Sequence, residues 1–301
     1  MQLGAVLPGR FLPADPAALA DFAQAVEGLG YSHLVTLEHV AGADLSHRPD
    51  WDGPPTLEDY HEPLVLFGYL AGLTRRLQLV TDILVLPQRQ TVLVAQQAAE
   101  VDVLSQGRLR LGVGVGWAEP EFQALNADFH TRGKRIEEQI AVLRALWTQE
   151  VVTFRGRWHH LEEMGIRPRP LQRPIPIWLG GSADASLRRV ASIGDGWMES
   201  TDSDEEARQC VERLHGYARE AGRDPQTLGI QAAIALVDKT PDDWRREIES
   251  WRALGATHLA ATVRDAGVGP LKCPYGGVSA LQAHLDLLRR FKDVADAVEP
   301  T

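Results

Sequence analysis

The chain has 301 residues, 44% of them hydrophobic and 24% charged, which is ordinary for a globular protein of one large α/β domain or two small ones. Its formal net charge of −10 argues against a general nucleic-acid-binding or anionic-membrane surface. Its two cysteines, Cys210 and Cys273, are too few for a disulfide framework and too far apart for a zinc pattern. Because no apolar run approaches a membrane span and the first residues do not match a secretory signal, we expect a cytoplasmic protein that binds no metal, nucleic acid or membrane.

Short apolar segments alternate with amphipathic helical segments along the chain. The first helix shows the pattern clearly, because Asp15 can cap it, Pro16 opens its first turn and Gly30 closes it. The predicted strands, in chain order, are Leu3–Leu7, His33–Leu37, one within Leu77–Leu86, one within Gly107–Trp117, Ile175–Leu179, Gly196–Met198, Ile230–Val237 and His258–Thr262. The predicted helices are Pro16–Leu29, Glu62–Thr74, Thr91–Leu104, Gly133–Trp147, one that begins at Ala183, Asp204–Gly222, Pro241–Leu254 and Val278–Phe291.

The segment Gly107–Trp117, read GRLRLGVGVGW, is an apolar strand that ends in glycine. Glycines alternate with valine over Gly112–Gly116, which leaves the backbone bare for the close approach of another group. The spacing does not match the dinucleotide-binding pattern GxGxxG, which needs its third glycine where Trp117 stands. Pro120 and the residues around it predict a loop rather than a helix directly after the strand. A tight strand exit that binds no ligand is the alternative interpretation.

The alternation amounts to about eight βα units without a compositional break. It predicts a parallel sheet, and eight units in a chain of this length fit a single (β/α)8 TIM barrel spanning residues 1–301. A doubly wound open sheet is the alternative architecture. The long segments Ala41–Leu57 and Val151–Pro170 are predicted to be insertions at the C-terminal face of the barrel.

A barrel would bring the carboxyl ends of several strands together on one catalytic face. Glu38 and His39 follow the second strand, and the imidazole suits general acid–base chemistry near neutral pH, although a solitary histidine is often structural. Trp117 and Trp197 follow strands and are candidates for the wall of a pocket. The helical spacing of Trp147 predicts a core or interface position instead.

The turn Gly180–Ser182, which precedes a predicted helix, is a second candidate site. Its N–H groups, its hydroxyl and the positive end of the helix would all face a bound phosphate. The alternative is an ordinary glycine-rich turn in which Ser182 caps the helix.

Several segments together resemble the bacterial luciferase-like monooxygenase superfamily. They are TLEH at 36–39, YHEPLVLFGYLAGLT at 60–74, TDILVLPQRQTVLVAQQAAEVDVLSQGRLRLGVGVGW at 81–117, RGKRIEEQIAVLRALW at 132–147 and PIPIWLGGSADASLRRVASIGDGW at 174–197. The resemblance covers most of the chain and is closest to the branch that uses the deazaflavin coenzyme F-420. It implies a (β/α)8 barrel that holds a flavin or deazaflavin at its C-terminal face.

The same resemblance implies roles for individual residues. His39 would lie beside the redox ring as proton donor or acceptor, and Glu38 is the second candidate catalytic residue. The bond between Asp82 and Ile83 would be a non-proline cis peptide that supports the ring from behind. The remaining candidates are Gly114, Val115, Gly116 and Trp117 along the cofactor channel, and Gly180, Gly181 and Ser182 at the phosphate.

We therefore predict an oxidoreductase that transfers a hydride between coenzyme F-420 and a small organic substrate, with His39 handling the proton. One alternative is a monooxygenase that uses reduced FMN supplied by a partner reductase. Another is a barrel that binds a cofactor without turnover. Members of the family are often dimers, so we also expect a homodimer.

Overall fold

The computed structural model describes residues 1–8, 12, 15–42, 44, 60–201, 204–263 and 278–298. Most of the predicted loop Ala41–Leu57 lies outside the described residues. The strands are β1 (Gln2–Val6), β2 (His33–Thr36), β3 (Gln78–Thr81), β4 (Leu84–Val85), β5 (Leu109–Gly114), β6 (Val152–Arg155), β7 (His160–Met164), β8 (Ile177–Gly180), β9 (Gly196–Met198), β10 (Gly229–Ala235) and β11 (His258–Thr262). The helices are α1 (Pro16–Gly28), α2 (Pro63–Leu73), α3 (Thr91–Leu104), α4 (Glu119–Ala124), α5 (Arg132–Thr148), α6 (Asp184–Ile193), α7 (Asp204–Glu220), α8 (Pro241–Ala253) and α9 (Val278–Val298).

Within the described residues, eight parallel strands form a closed barrel in the order β1, β2, β3, β5, β8, β9, β10 and β11. Closure is completed by the pairing of β1 with β11 and of β3 with β5. The (β/α)8 barrel predicted from the alternation is therefore confirmed, and the doubly wound open sheet is excluded. The short strand β4 extends the C-terminal end of β5, and β6 and β7 form a separate antiparallel hairpin. The hairpin lies in the predicted insertion Val151–Pro170, which connects α5 to the start of β8.

Two apolar layers hold the barrel together. The larger layer lies between the strands and the surrounding helices and includes Trp147 and Trp244, both fully buried. The helical spacing of Trp147 predicted this core position. The smaller layer lies inside the barrel and consists of Val35, Val80, Trp178, Met198 and Ala260. Alternate residues of each strand point to opposite sides, which is why one strand supplies both layers.

A polar layer shares the barrel interior with these apolar side chains. Nη2 of Arg110 donates to Oε1 of Gln231 at 2.7 Å, and the guanidinium lies 4.3 Å from the centre of the Trp178 ring. Arg110 is 2% exposed, and burial lowers the pKa of its guanidinium to about 9. The rings of His33 and His258 lie beside it, with their centres 5.5 Å apart, and burial lowers the pKa of both imidazoles.

One local prediction is wrong. The segment after β5 is not a loop: α4 begins at Glu119, with Pro120 in its first turn. Proline is well suited to that position because the first N–H groups of a helix have no partner within the helix. The third strand lies within Leu77–Leu86 as predicted. Asp82 and Ile83 separate β3 from the short β4, and a 3-10 turn over Leu86–Gln88 follows β4.

Candidate active site at the C-terminal face

A cavity of about 470 Å³ opens at the carboxyl ends of the strands. The residues predicted for catalysis and cofactor binding all line it: Glu38, His39, Asp82, Ile83, Gly114, Val115, Gly116, Trp117, Gly180, Gly181 and Ser182. Further lining residues include Tyr60, Val85, Glu121, Ser186, Met198 and Ser200. The closed barrel explains this convergence, since it gathers the ends of β2, β3, β5 and β8 at one rim.

His39 is paired with a carboxylate across the cavity wall. Its Nδ1 lies 3.2 Å from Oε2 of Glu121, in α4. The other oxygen, Oε1, accepts the N–H groups of Val40 at 2.5 Å and Ala41 at 3.2 Å. Burial would raise the pKa of Glu121, but the hydrogen bonds from His39 and Ala41 outweigh it and hold the pKa below its ordinary value. The pair therefore joins an ionised carboxylate to an imidazole at the cavity.

Two aromatic rings enclose the imidazole of His39. The ring centre of Tyr60 lies 5.0 Å from that of His39, and the ring centre of Trp117 lies 5.6 Å away, both edge to face. Trp117 is 44% exposed, so it forms an open part of the cavity wall as predicted. The remaining ring nitrogen of His39, Nε2, is the one that Glu121 does not use.

Glu38 lines the same cavity, but both oxygens of its carboxylate are bonded to neighbouring residues of the cavity wall. Oε1 accepts the N–H of Val85 at 2.6 Å, and Oε2 is bonded to the guanidinium of Arg89, which also binds Glu62 at 2.7 Å. Burial raises the pKa of Glu38 despite the opposing effect of Arg89. Glu62 in turn caps α2 by accepting the N–H of Val65 at 2.7 Å, so this ion-pair group joins the end of β2 to two neighbouring segments.

The peptide bond between Asp82 and Ile83 is cis, as the family resemblance implied. The side chain of Ile83 fills the space left by two glycines. A Cβ added at Gly114 would lie 2.6 Å from Cδ1 of Ile83, and one added at Gly180 would lie 3.1 Å from its Cγ2. These two glycines therefore serve the packing of Ile83 under the cavity, which the spacing of the glycine run alone did not reveal.

The turn at Gly181 and Ser182 leads into α6 at the cavity edge. Gly181 has φ +109°, and a Cβ there would lie 2.9 Å from Oγ of Ser186. The residue at the N-cap is Ala183, which offers no side-chain hydrogen bond. Ser182 is thus not the cap that the alternative interpretation required, and the first N–H groups of α6 receive no capping side chain. The indole of Trp197 donates to the carbonyl of Gly181 at 3.1 Å.

Trp197, a candidate for the wall of the pocket, does not line the cavity. Its side chain is fully buried on the outer side of β9, behind the turn rather than in the cavity. Its hydrogen bond to Gly181 nevertheless supports the turn from behind.

A model of the luciferase-like monooxygenase family matches residues 1–294 of the chain. The chain belongs to this family. An uncharacterised protein of Mycobacterium tuberculosis is 35% identical over 231 residues, which are 71% of this chain and 77% of that protein. An FMNH2-dependent dimethylsulfone monooxygenase of Pseudomonas fluorescens is 31% identical over 220 residues, which are 72% of this chain and 56% of that protein.

A solved structure has the same fold. It is an F-420-dependent secondary alcohol dehydrogenase in complex with an F-420–acetone adduct, and it matches with a TM-score of 0.76 and 18% identity over 99% of both chains. Membership of the luciferase-like monooxygenase family makes this chain an oxidoreductase.

The residues present fit a flavin-type cofactor of a luciferase-like monooxygenase. The cavity is within the size range of small-molecule sites. The uncapped start of α6 and the left-handed Gly181 provide N–H groups suited to a phosphate at one end. Among the described residues, no group of three or more His, Cys, Asp or Glu side chains could hold a metal ion. No helix in the described part of the chain is long and apolar enough to cross a membrane.

Two groups at this luciferase-like site, Glu121 and Arg89, were not predicted from the sequence. Glu121 was overlooked because the residues around Pro120 were interpreted as a loop, whereas a proline followed by an acidic residue also signals the first turn of a helix. The role of Arg89 depends on a contact with Glu38, 51 positions away along the chain. No local pattern marks such a contact.

Proposed function

We propose that the chain transfers a hydride between the deazaflavin coenzyme F-420 and a small organic substrate. The observation that carries the proposal is the His39–Glu121 pair on the wall of a cavity whose far edge can hold a phosphate. Hydride transfer to or from carbon requires a group that moves one proton on the substrate, and an oriented imidazole supplies it. When bound, the deazaflavin supplies the two-electron chemistry.

The residues of the chain have distinct tasks in this proposal. His39 moves the proton, and Glu121 holds its ring. Trp117 and Tyr60 give the substrate an aromatic wall and restrict water around the imidazole. Ile83 supports the ring of the cofactor from below, while the N–H groups from Gly181 to the start of α6 bind its phosphate. We assign Glu38 to holding this wall through Arg89 rather than to proton transfer, because Val85 and Arg89 already bind both of its oxygens.

A second candidate is a monooxygenase that uses reduced FMN. It is favoured by the 31% identity to the FMNH2-dependent dimethylsulfone monooxygenase, although this chain spans about half the length of that enzyme. FMN and F-420 both carry a tricyclic ring and a phosphate, so the same cavity suits either. This candidate would need a partner reductase to supply the reduced flavin.

The test is a titration of the purified, cofactor-free protein with F-420 and, separately, with FMN, followed by ring fluorescence. Tight binding of F-420 with weak binding of FMN supports the proposal. The reverse result overturns it in favour of the monooxygenase.

His39→Ala then tests the catalytic role of the imidazole. We expect this variant to keep its cofactor affinity and to lose turnover by about 10²- to 10⁴-fold, the usual contribution of a general acid–base group. Unchanged turnover would contradict the role assigned to His39.

A further inference from the structure

The two oxygens of the Glu121 carboxylate have different hydrogen-bond partners. Oε1 accepts the N–H groups of Val40 and Ala41, and Oε2 lies 3.2 Å from Nδ1 of His39. Glu121 is 3% exposed, so water does not compete for these contacts. Because two backbone donors point at Oε1, the carboxylate cannot rotate without losing them. The oxygen that faces His39 is therefore fixed.

The protonation state of this carboxylate decides which nitrogen of His39 carries the proton. An ionised carboxylate only accepts hydrogen bonds, and the pKa of Glu121 lies below its ordinary value of 4.5 because the hydrogen bonds outweigh the effect of burial. A neutral imidazole that faces this carboxylate must then donate from Nδ1. This leaves Nε2 with a free lone pair.

We propose that Glu121 is a positioning residue that fixes His39 as the Nδ1–H tautomer and presents Nε2 to the cavity as a proton acceptor. Nε2 takes the proton of a substrate O–H or N–H group and returns it in the reverse direction. The tautomer is a property of this chain alone, and only its use in turnover rests on the proposed function.

The direct test is the nitrogen spectrum of His39 in the cofactor-free protein. Long-range ¹H–¹⁵N correlations distinguish the two neutral tautomers, and the signals of His39 are identified by their loss in His39→Asn. We expect the pattern of an imidazole protonated at Nδ1. A pattern of protonation at Nε2 in the unsubstituted protein would overturn the proposal without any variant of Glu121.

Glu121→Gln provides a sharper test because the amide keeps the shape of the side chain. Its oxygen must serve Val40 and Ala41, so its NH2 group faces His39 and donates to Nδ1. The proton of the imidazole then moves to Nε2, and we expect the opposite tautomer. Glu119→Gln is the matched control, since it removes one carboxylate from the same helix, and none of the contacts described for His39 involves Glu119. An unchanged tautomer in Glu121→Gln would contradict the proposal.

Amide hydrogen exchange distinguishes two effects of Glu121: orienting the ring of His39, and holding the backbone at Val40 and Ala41. Glu121→Ala loses the acceptor for Val40 and Ala41, so their amide exchange should accelerate at least tenfold. Glu121→Gln should retain most of that protection while changing the tautomer. Equal acceleration in both variants would show that the amide oxygen in Glu121→Gln does not hold Val40 and Ala41, which would contradict the fixed orientation on which the tautomer assignment depends.

Turnover connects this result to the proposed function. We expect Glu121→Gln to lower kcat at least tenfold with KM changed less than threefold, because substrate contacts are kept while the acceptor nitrogen is lost. A change confined to KM would contradict the positioning role. If the protein proves not to use F-420, the tautomer and exchange results still decide the assignment of Glu121.

Discussion

Ile83 packs against the bare α-carbon of Gly114, where an added Cβ would lie 2.6 Å from Cδ1 of Ile83. Real side chains do not approach this closely, so Gly114→Ala must displace Ile83. Overpacking of a buried site typically costs about 1–3 kcal/mol. We expect Gly114→Ala to lower the free energy of unfolding by that amount, measured by urea denaturation, and to weaken flavin or deazaflavin binding.

Gly72→Ala is the matched control for this substitution. Gly72 lies in α2, and a Cβ there would meet no described atom within 4 Å. Alanine is favoured over glycine within a helix by about 0.5–1 kcal/mol, so this variant should be as stable as the parent or slightly more so. Equal stability of the two variants would mean that Ile83 does not depend on the glycine.

Arg89 supplies the positive charge for the buried carboxylate of Glu38. Removing one partner of a buried ion pair leaves the other charge unpaired and typically costs about 3–5 kcal/mol. We expect Arg89→Met to lose stability in this range at pH 8. Because burial already raises the pKa of Glu38, the folded variant binds a proton more readily than the unfolded one, and the deficit should shrink as the pH falls toward 5.

The control for Arg89→Met is Arg155→Met. Arg155 pairs with Glu162 in the hairpin formed by β6 and β7, and both side chains are largely exposed. Exposed pairs contribute little, so no measurable loss is expected. If Arg89→Met lowers the free energy of unfolding by the same amount at pH 5 and pH 8, the unpaired charge of Glu38 is not the cause of the loss.

The barrel and the location of its site were predictable because both depend on patterns that repeat along the chain. Short apolar strands alternating with helices specify the architecture, and the barrel then places the strand ends, including those before His39 and Gly180, at one rim. The partners of these residues were not predictable in the same way. Glu121 is 82 positions from His39, and only the three-dimensional course of the chain brings them together.

The glycine run shows a different limit of sequence reasoning. Its spacing correctly indicated that some group approaches the backbone closely, but it could not distinguish a ligand from a side chain. At Gly112 the approaching atoms belong to Thr81 and Met198, and at Gly114 they belong to Ile83. The identity of those atoms follows from the register of neighbouring strands, which is a property of the closed barrel.

The lowered pKa of Arg110 predicts how the free energy of unfolding changes with pH in alkaline solution. Its pKa in the folded chain is lowered by burial from 12.5 to about 9, so above pH 9 the unfolded chain binds this proton more tightly than the folded chain. This group therefore makes stability rise with pH in that window. Between pH 8 and pH 10 its contribution should grow by about 1.4 kcal/mol, the free energy that corresponds to one pKa unit.

The comparison of the parent with Arg110→Met isolates this contribution from the other titrating groups. We expect the free energy of unfolding of the parent, measured by urea denaturation, to increase relative to that of the variant as the pH rises from 8 to 10. At pH 7 the variant should be at least as stable, because a well-packed apolar side chain avoids the cost of burying the charge. Parallel pH profiles for the two proteins would contradict the lowered pKa.

The hydrogen bond from Trp197 to Gly181 predicts that a substitution of Trp197 weakens binding of the cofactor's phosphate specifically. Its indole N–H holds the carbonyl of Gly181, and Trp197→Phe removes this hydrogen bond while keeping an aromatic ring in the same buried position. A hydrogen bond of this kind contributes about 0.5–1.5 kcal/mol, so we expect FMN to bind about three- to tenfold more weakly. Riboflavin, which has the same ring but no phosphate, should bind equally well to parent and variant.

Trp147→Phe is the control for Trp197→Phe, because the indole of Trp147 is equally buried and donates to the carbonyl of Ala95 at 3.0 Å in the outer layer of helices. Trp147→Phe also removes a buried indole but leaves the turn at Gly181 unchanged. FMN and riboflavin should therefore bind to this variant as tightly as to the parent. If Trp197→Phe weakens riboflavin as much as FMN, the indole supports the cavity as a whole. If it weakens FMN alone, Gly181 and the start of α6 bind the phosphate, and the ring of the cofactor must extend from there toward His39.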